Sequence, residues 1–280
     1  MRLIVLLLFF LPLVAAGQTI CSKESRDRLD STVFALSKLE VAQKPIQEVA
    51  LTIATSFLNT PYVEKTLEVG GDERLVINLM GLDCTTYLES VITLARMTKL
   101  GRFTFEDYEN ELEFLRYRNG KREGYPSRLH YFSDWIYNNQ QKGILKDITA
   151  DIGGVVYENA PSFMSQNPKY YPQLTNAEFI DHIKKSEAEI KSRTYHYLPK
   201  ETLESHEGQI KSGDLIAITI STSNLDISHV GIAIEQNGTI HLLHASLDHK
   251  KVEISQKPLR DLLMGHKSQS GIMVCRLTEP

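Results

Sequence analysis

Apolar residues recur at Ile46, Val49, Ala50, Ile53 and Phe57 with the three- and four-residue spacing of a helix face. Thr60-Pro61 stops that helix, because the residue before a proline is pushed out of helical geometry. The stretch "VEKTLEVGGDERLVINL", 63–79, alternates around Gly70-Gly71 and predicts a hairpin. After Cys84 the period lengthens again: Leu88, Val91, Ile92 and Ala95 mark a helix ending near Gly101. Thr175 with Glu178 forms a capping-box pattern that opens another helix running to about Arg193. The final third switches to strands, read from "DLIAITI", "HVGIAIE", "TIHLLHAS" and "GIMVCRL". Helices first and an antiparallel-looking sheet later predict an α+β fold. No Pro/Gly/Ser-rich linker, repeat or low-complexity tract divides the chain, so 18–280 is expected to form a single domain with insertions.

The opening residues stand apart from this pattern. Met1 and Arg2 precede an apolar run from Leu3 to Val14, then Ala15, Ala16 and Gly17, the charged start, short core and small-residue cleavage site of a secretory signal peptide over 1–17. The run is shorter than the roughly 20 apolar residues of a membrane span. An exported protein, periplasmic or secreted and without a stable membrane anchor, is expected. Gln18, Thr19 and Ile20 before Cys21 are not the small residues of a lipidation signal.

Composition narrows the classes further. A hydrophobic fraction of 42% with 24% charged residues gives a chain able to bury a sizeable core, and a net charge of -4 offers no basic footprint for nucleic acid. Three cysteines remain in the mature chain: Cys21, Cys84 and Cys275. An odd count in an oxidising compartment leaves one thiol over. Cys21 and Cys275, near the two ends, are the expected disulfide pair, which leaves Cys84 free.

Cys84 falls at a helix start, where unpaired N–H groups and the positive end of the macrodipole favour a thiolate. Taken alone, that cysteine reads first as a small buried hydrophobe. A partner base comes from "ISHVGIAIEQNGTIHLLHAS", 227–246. Asn237-Gly238 between alternating runs is a strong hairpin signal. With those two residues in the turn, Gln236 faces Thr239, Gly231 faces His244 and His229 faces Ser246. His229 and His244 then share a side, whereas His241 pairs with Ile234 and points the other way. Three histidines suggest zinc, but ligands must converge, and this register separates His241 from the other two. No metal is expected. Cys84, His229 and His244 fit a nucleophile, base and orienter; the plainer reading makes both histidines ordinary strand residues. No serine elbow or phosphate-cradling glycine loop competes.

Five stretches taken in order, "FLNTPYV" (57–63), "LDCTTYLE" (82–89), "SGDLIAI" (212–218), "HVGIAI" (229–234) and "HAS" (244–246), resemble the NlpC-type papain-fold cell-wall hydrolases. "RLHYFSDW" (128–135) and "LDISHVGIA" (225–233) further resemble the N-acetylmuramoyl-L-alanine amidase-like branch, and the likeness runs from about Pro45 onward. It implies a papain-like core with Cys84 on the helix, His229 and His244 on the sheet, no cofactor, and peptidoglycan or muramyl peptides as substrate. The cleaved bond would be the amide between N-acetylmuramic acid and L-alanine. The resemblance also matches Tyr62 and Asp83 to positions that hold the substrate's peptide, although Asp83 is equally an N-cap and Tyr62 equally loop packing. The long Cys84–His244 spacing implies an insertion near 100–200 that shapes the pocket. There, Arg128, His130 and Trp135 are expected to supply a carboxylate grip and an aromatic wall. The alternative is an amphipathic helix with Trp135 in the core and Arg128 in an ion pair. Two other functions stay open: an endopeptidase cutting the stem peptide after γ-D-glutamate, and a non-catalytic muropeptide-binding module.

Overall fold

Helices fill the first half and strands the last third of the computed structural model, which describes residues 19–158 and 160–280. The expected signal peptide, 1–17, lies outside the described residues. The elements, in chain order, are β1 (Ile20–Cys21), α1 (Lys23–Lys38), α2 (Ile46–Ser56), β2 (Val76–Ile77), α3 (Cys84–Leu100), α4 (Phe105–Arg116), α5 (Phe132–Gln141), β3 (Leu145–Asp147), β4 (Val155–Val156), α6 (Phe163–Gln166), α7 (Ala177–Lys191), β5 (His196–Pro199), α8 (Leu203–His206), β6 (Leu215–Ile220), β7 (Ile227–Gln236), β8 (Thr239–Ser246), β9 (Lys251–Ile254), α9 (Leu259–Met264) and β10 (Gln269–Leu277). The main sheet has the order β4-β5-β10-β6-β7-β8-β9, and β3 also pairs with β10. Every pair in it is antiparallel. The fold is therefore α+β, as the periodicity predicts.

Strand alternation divides the core in two. Val230, Ile232, Leu243 and Ala245 pack with α2 and α3 on one face, whereas Ala233, Ile240 and Leu242 pack with α9 on the other. Helix α3 is more than a one-faced amphipathic helix. Every residue from Thr86 to Thr98 is buried, Glu89 and Arg96 included. Each of those charges is neutralised: Arg116 Nε lies 2.7 Å from Glu89, and Arg96 pairs with Glu111. Unpaired, they would be prohibitive at that depth.

Three expectations are corrected. No hairpin forms around Gly70-Gly71; only β2 is regular, and it pairs in parallel with β1. The carbonyls of that stretch go elsewhere, with Arg128 bonding Leu67 O and Gln173 bonding Val69 O. Its backbone is thus satisfied by the later insertion rather than by a partner strand. The cap of α7 is Asn176, which accepts from Glu178 N; the Thr175 hydroxyl turns back to Pro172 O. Cys21 and Cys275 are both free thiols. Cys21 lies in the β1–β2 ribbon opposite Ile77, whereas Cys275 is buried in the main sheet between Asp147 and Leu215. Proximity to the ends of a sequence does not make two residues neighbours in space. Among the described residues, no helix is long and apolar enough to cross a membrane.

Candidate active site

The start of α3 is set by a capping box. Asp83 Oδ1 accepts from Thr86 N at 2.8 Å, and Thr86 Oγ1 accepts from Asp83 N at 2.9 Å. That reciprocal pair fixes Cys84 as the first helical residue. Its thiol, half-buried, accepts a hydrogen bond from the backbone N–H of Val230, the residue after His229.

The β7–β8 ladder explains why that N–H is available. Asn237 (φ 53°) and Gly238 (φ 81°) both adopt the left-handed conformation of a two-residue hairpin turn. The register is the expected one, from Gln236 opposite Thr239, through Ile234 opposite His241, to Ile232 opposite Leu243. There the ladder stops, so the expected pairs Gly231–His244 and His229–Ser246 do not form. Hydrogen-bonded pairs alternate along an antiparallel ladder, and counting from the turn the next would be Val230 with Ala245. Because the strands part at that point, Val230 gives its N–H to Cys84 Sγ instead. The sulfur thus enters where β7 and β8 open.

Each of those two strands carries a histidine of the candidate site. His229 Nε2 lies 2.6 Å from His244 Nδ1, with the rings 4.8 Å apart and nearly perpendicular. A bulge in the β6–β7 ladder falls beside His229, since Ile218 pairs with His229 and Thr219 with Ile227. Bulges of this kind re-aim a side chain. His241 is directed elsewhere: its Nδ1 lies 2.8 Å from Ser255 O and its Nε2 3.3 Å from the Thr239 hydroxyl.

Burial decides the charge states. It pushes the Cys84 thiol up to about 11, with the Asp83 carboxylate adding to it and the Val230 and Thr85 donors opposing it. Burial thus opposes the thiolate expected at a helix start and favours the thiol. His229 is pushed down to about 4 by burial and His266, and His244 to about 3 by burial and His229. At neutral pH the resting site holds a thiol and two neutral imidazoles. One imidazole must then donate to the other, and either tautomer that does so leaves a single basic nitrogen on the pair.

A cavity of about 520 Å³ adjoins this constellation, lined by Asp83 and Thr85 on either side of Cys84 and by Ile227 ahead of His229. Arg128, His130 and Tyr131 line it too, as do Phe163, Tyr170 and Tyr171 from the inserted region. Among the expected binding residues, Asp83 is the N-cap of α3 and also lines the cavity. Tyr62 bridges to Leu82, two residues before Cys84, and its phenol is pushed up to about 12 by burial first and then by the Cys84 and Asp83 charges. Arg128 reaches the cavity with its guanidinium already engaged by Glu68 at 2.6 Å and Leu67 O at 3.0 Å. His130 accepts or donates through Nε2 to Tyr125 O at 2.9 Å, and burial followed by Arg128 drives it down to about 3, so it stays neutral. Trp135 does not form the expected aromatic wall. It is fully buried, stacks on Phe132 at 4.7 Å and donates to Glu89 at 3.2 Å. Tyr131, Phe163, Tyr170 and Tyr171 take that place, and the proline-bracketed pair in "NPKYYPQ" was the available signal.

Residues 52–272 match the family model of AmiA-like, N-acetylmuramoyl-L-alanine amidase-like proteins. Among solved structures, an N-acetylmuramoyl-L-alanine amidase from Bacteroides uniformis is 39% identical, with a TM-score of 0.79 over 83% of this chain and 99% of its own. A Bacteroides fragilis protein provisionally named a xylanase is 41% identical, with a TM-score of 0.77 over 81% and 99%. A Legionella pneumophila protein, 24% identical, shares the fold with a TM-score of 0.71 over 92% and 97%. No curated protein matches.

Proposed function

The chain belongs to the AmiA-like, N-acetylmuramoyl-L-alanine amidase-like family, and from that premise we propose that it is a cysteine-dependent peptidoglycan amidase with Cys84 as nucleophile, His229 as base and His244 as orienter. The observation that carries this reading is the 2.6 Å contact between the two imidazoles, beside a thiol held on the Val230 N–H. The core is read as papain-like and NlpC-type: a nucleophile heading a central helix, packed against an antiparallel sheet that supplies the base.

With His229 Nε2–H donating to His244 Nδ1, His229 Nδ1 carries the free lone pair. That nitrogen takes the Cys84 proton as sulfur attacks the carbonyl of the amide joining muramic acid to L-alanine. The Cys84 backbone N–H, in the unpaired first turn, is positioned to receive the oxyanion. The imidazolium returns its proton to the departing alanine nitrogen, breaking the C–N bond and leaving a muramyl thioester. Water, deprotonated by His229, attacks the thioester and regenerates the thiol. The xylanase name of one neighbour finds no counterpart in this constellation, because glycoside hydrolysis ordinarily uses two carboxylates across the scissile bond.

Mass spectrometry of products from a defined muramyl tetrapeptide tests the reading. Free muramic acid with intact peptide is expected, and Cys84→Ala should give none. A peptide cut after γ-D-glutamate would make the protein an endopeptidase, and no product with wild type would make it a binding module. Export with removal of 1–17 is part of the proposal; a secreted mature chain beginning near Gln18 is the expected N-terminal sequence.

A further inference from the structure

The polar row that begins at His229 does not end at His244. Across the β8–β9 ladder, His244 stands directly opposite Glu253. Opposed residues of an antiparallel pair share a face, with Cβ atoms about 4.5–5.5 Å apart. The Glu253 side chain is only 14% exposed, and Oε1 lies 2.5 Å from Nδ1 of His249 in the β8–β9 turn, a side chain that is 51% exposed. Three adjacent strands thus carry His229, His244 and Glu253 in one line, and the line terminates in a carboxylate that the proposed mechanism leaves unused.

We propose that Glu253 is a positioning residue, whose negative charge beside His244 lets the positive charge created on His229 spread over both imidazoles. This rests on the cysteine-amidase reading above. When the thiol proton reaches His229 Nδ1, the Nε2–H of the new imidazolium leans on His244 Nδ1. Two neutral rings alone would hold that charge in a buried place, where it is costly. A carboxylate on the next strand offsets it without forming any bond to the reacting atoms. The neighbouring charges agree in sign: Glu253 and Asp248 favour protonated His244, whereas His229 and His249 oppose it. Asp248 sits in the exposed turn, where water screens it, and Lys250 of the same turn is directed over the Tyr62 ring at 5.6 Å. On the far side, His266 is the group that acts on His229. Glu253 is therefore the acid whose place in the ladder is fixed against the pair.

The test is kcat and KM against pH on the muramyl tetrapeptide for wild type, Glu253→Gln, Glu253→Asp, His249→Ala and Cys84→Ala. Glu253→Gln should lower kcat by about tenfold with KM within about twofold. Losing the negative charge makes the imidazole harder to protonate, so the acid limb should move down by about half a unit to one. Glu253→Asp should restore most of both, and His249→Ala should stay within about twofold of wild type. A wild-type profile for Glu253→Gln, with Cys84→Ala inactive, would overturn this inference and leave the amidase standing. If His249→Ala reproduces the Glu253→Gln profile, the carboxylate is only a strut for the turn and the positioning role fails. An active Cys84→Ala would instead remove the amidase reading on which the inference rests.

Discussion

Cys84 should be a slow thiol in the unliganded protein. Burial and the Asp83 charge raise it from the ordinary 9.0 to about 11. At pH 7 the thiolate is then about one molecule in 10⁴, against about one in 10² for an unshifted thiol. A more basic thiolate is intrinsically more nucleophilic, by a factor of about eight over two units for a Brønsted slope near 0.4–0.5. The two effects leave alkylation of Cys84 by iodoacetamide about tenfold slower than that of a small free thiol at pH 7. The rate should rise about tenfold per pH unit through pH 10, and peptide mapping after timed quenching would follow Cys84 separately from half-buried Cys21. Rapid alkylation already at pH 5–6, lost in His229→Ala, would mean a resting thiolate–imidazolium pair. That result would refute the argument that desolvation outweighs the helix start and the base.

The acid limb of kcat/KM follows from His229. Because its pKa is lowered to about 4, the basic form persists below the ordinary 6.5, so activity should hold from neutral pH to about pH 5 and fall tenfold per unit below pH 4; melts at the same pH separate titration from unfolding, and a limb near 6.5 would contradict the burial argument. His244→Ala should lower kcat by about 10² to 10⁴ with the fold intact. His241→Ala, which loses the Ser255 O and Thr239 hydroxyl contacts and packing, should cost about 1 kcal/mol of stability and little activity; reversed effects in steady-state assays would mean that the strand faces have been misassigned. Arg116→Met leaves Glu89 charged and buried at 2% exposure, so denaturant melts should show a loss of about 3–5 kcal/mol. At Gly231 an added Cβ would meet Leu243 O at 2.9 Å and Leu242 Cδ1 at 2.8 Å, so Gly231→Ala should push β8 away, destabilise by about 1–3 kcal/mol and depress kcat with it; an unchanged kcat would show that the opening between the strands tolerates movement.

The parts of this fold that were legible in the sequence are those in which one local rule governs. Asn237-Gly238 demands left-handed geometry at both positions, and that alone sets the register from Gln236–Thr239 to Ile232–Leu243. Gly101 with φ 65° ends α3 where the periodicity ends. The failures share a cause as well. At 63–79 the alternation is real, yet Arg128 and Gln173 from distant segments take the carbonyls a strand partner would need. The one-sided stripe of α3 was equally misleading, because Arg116 and Glu111, on another helix, let Glu89 and Arg96 be buried. Long-range partners override local pattern in both, and no periodicity records them.

The site divides along the same line. That Cys84 heads a helix, and that His229 and His244 share a side, are local facts: a capping residue and a turn. Where the thiol rests is not local, because it depends on β7 and β8 parting after Ile232–Leu243. An intact ladder would have kept the Val230 N–H for Ala245 and left the sulfur no donor in the sheet. Burial opposes ionisation of the thiol and of both imidazoles, so in the mechanism proposed above the thiolate that sequence position suggests forms only when a substrate carbonyl arrives to take the sulfur's electrons. A helix start announces where a nucleophile can stand; only the packing around it decides whether that nucleophile waits as anion or acid.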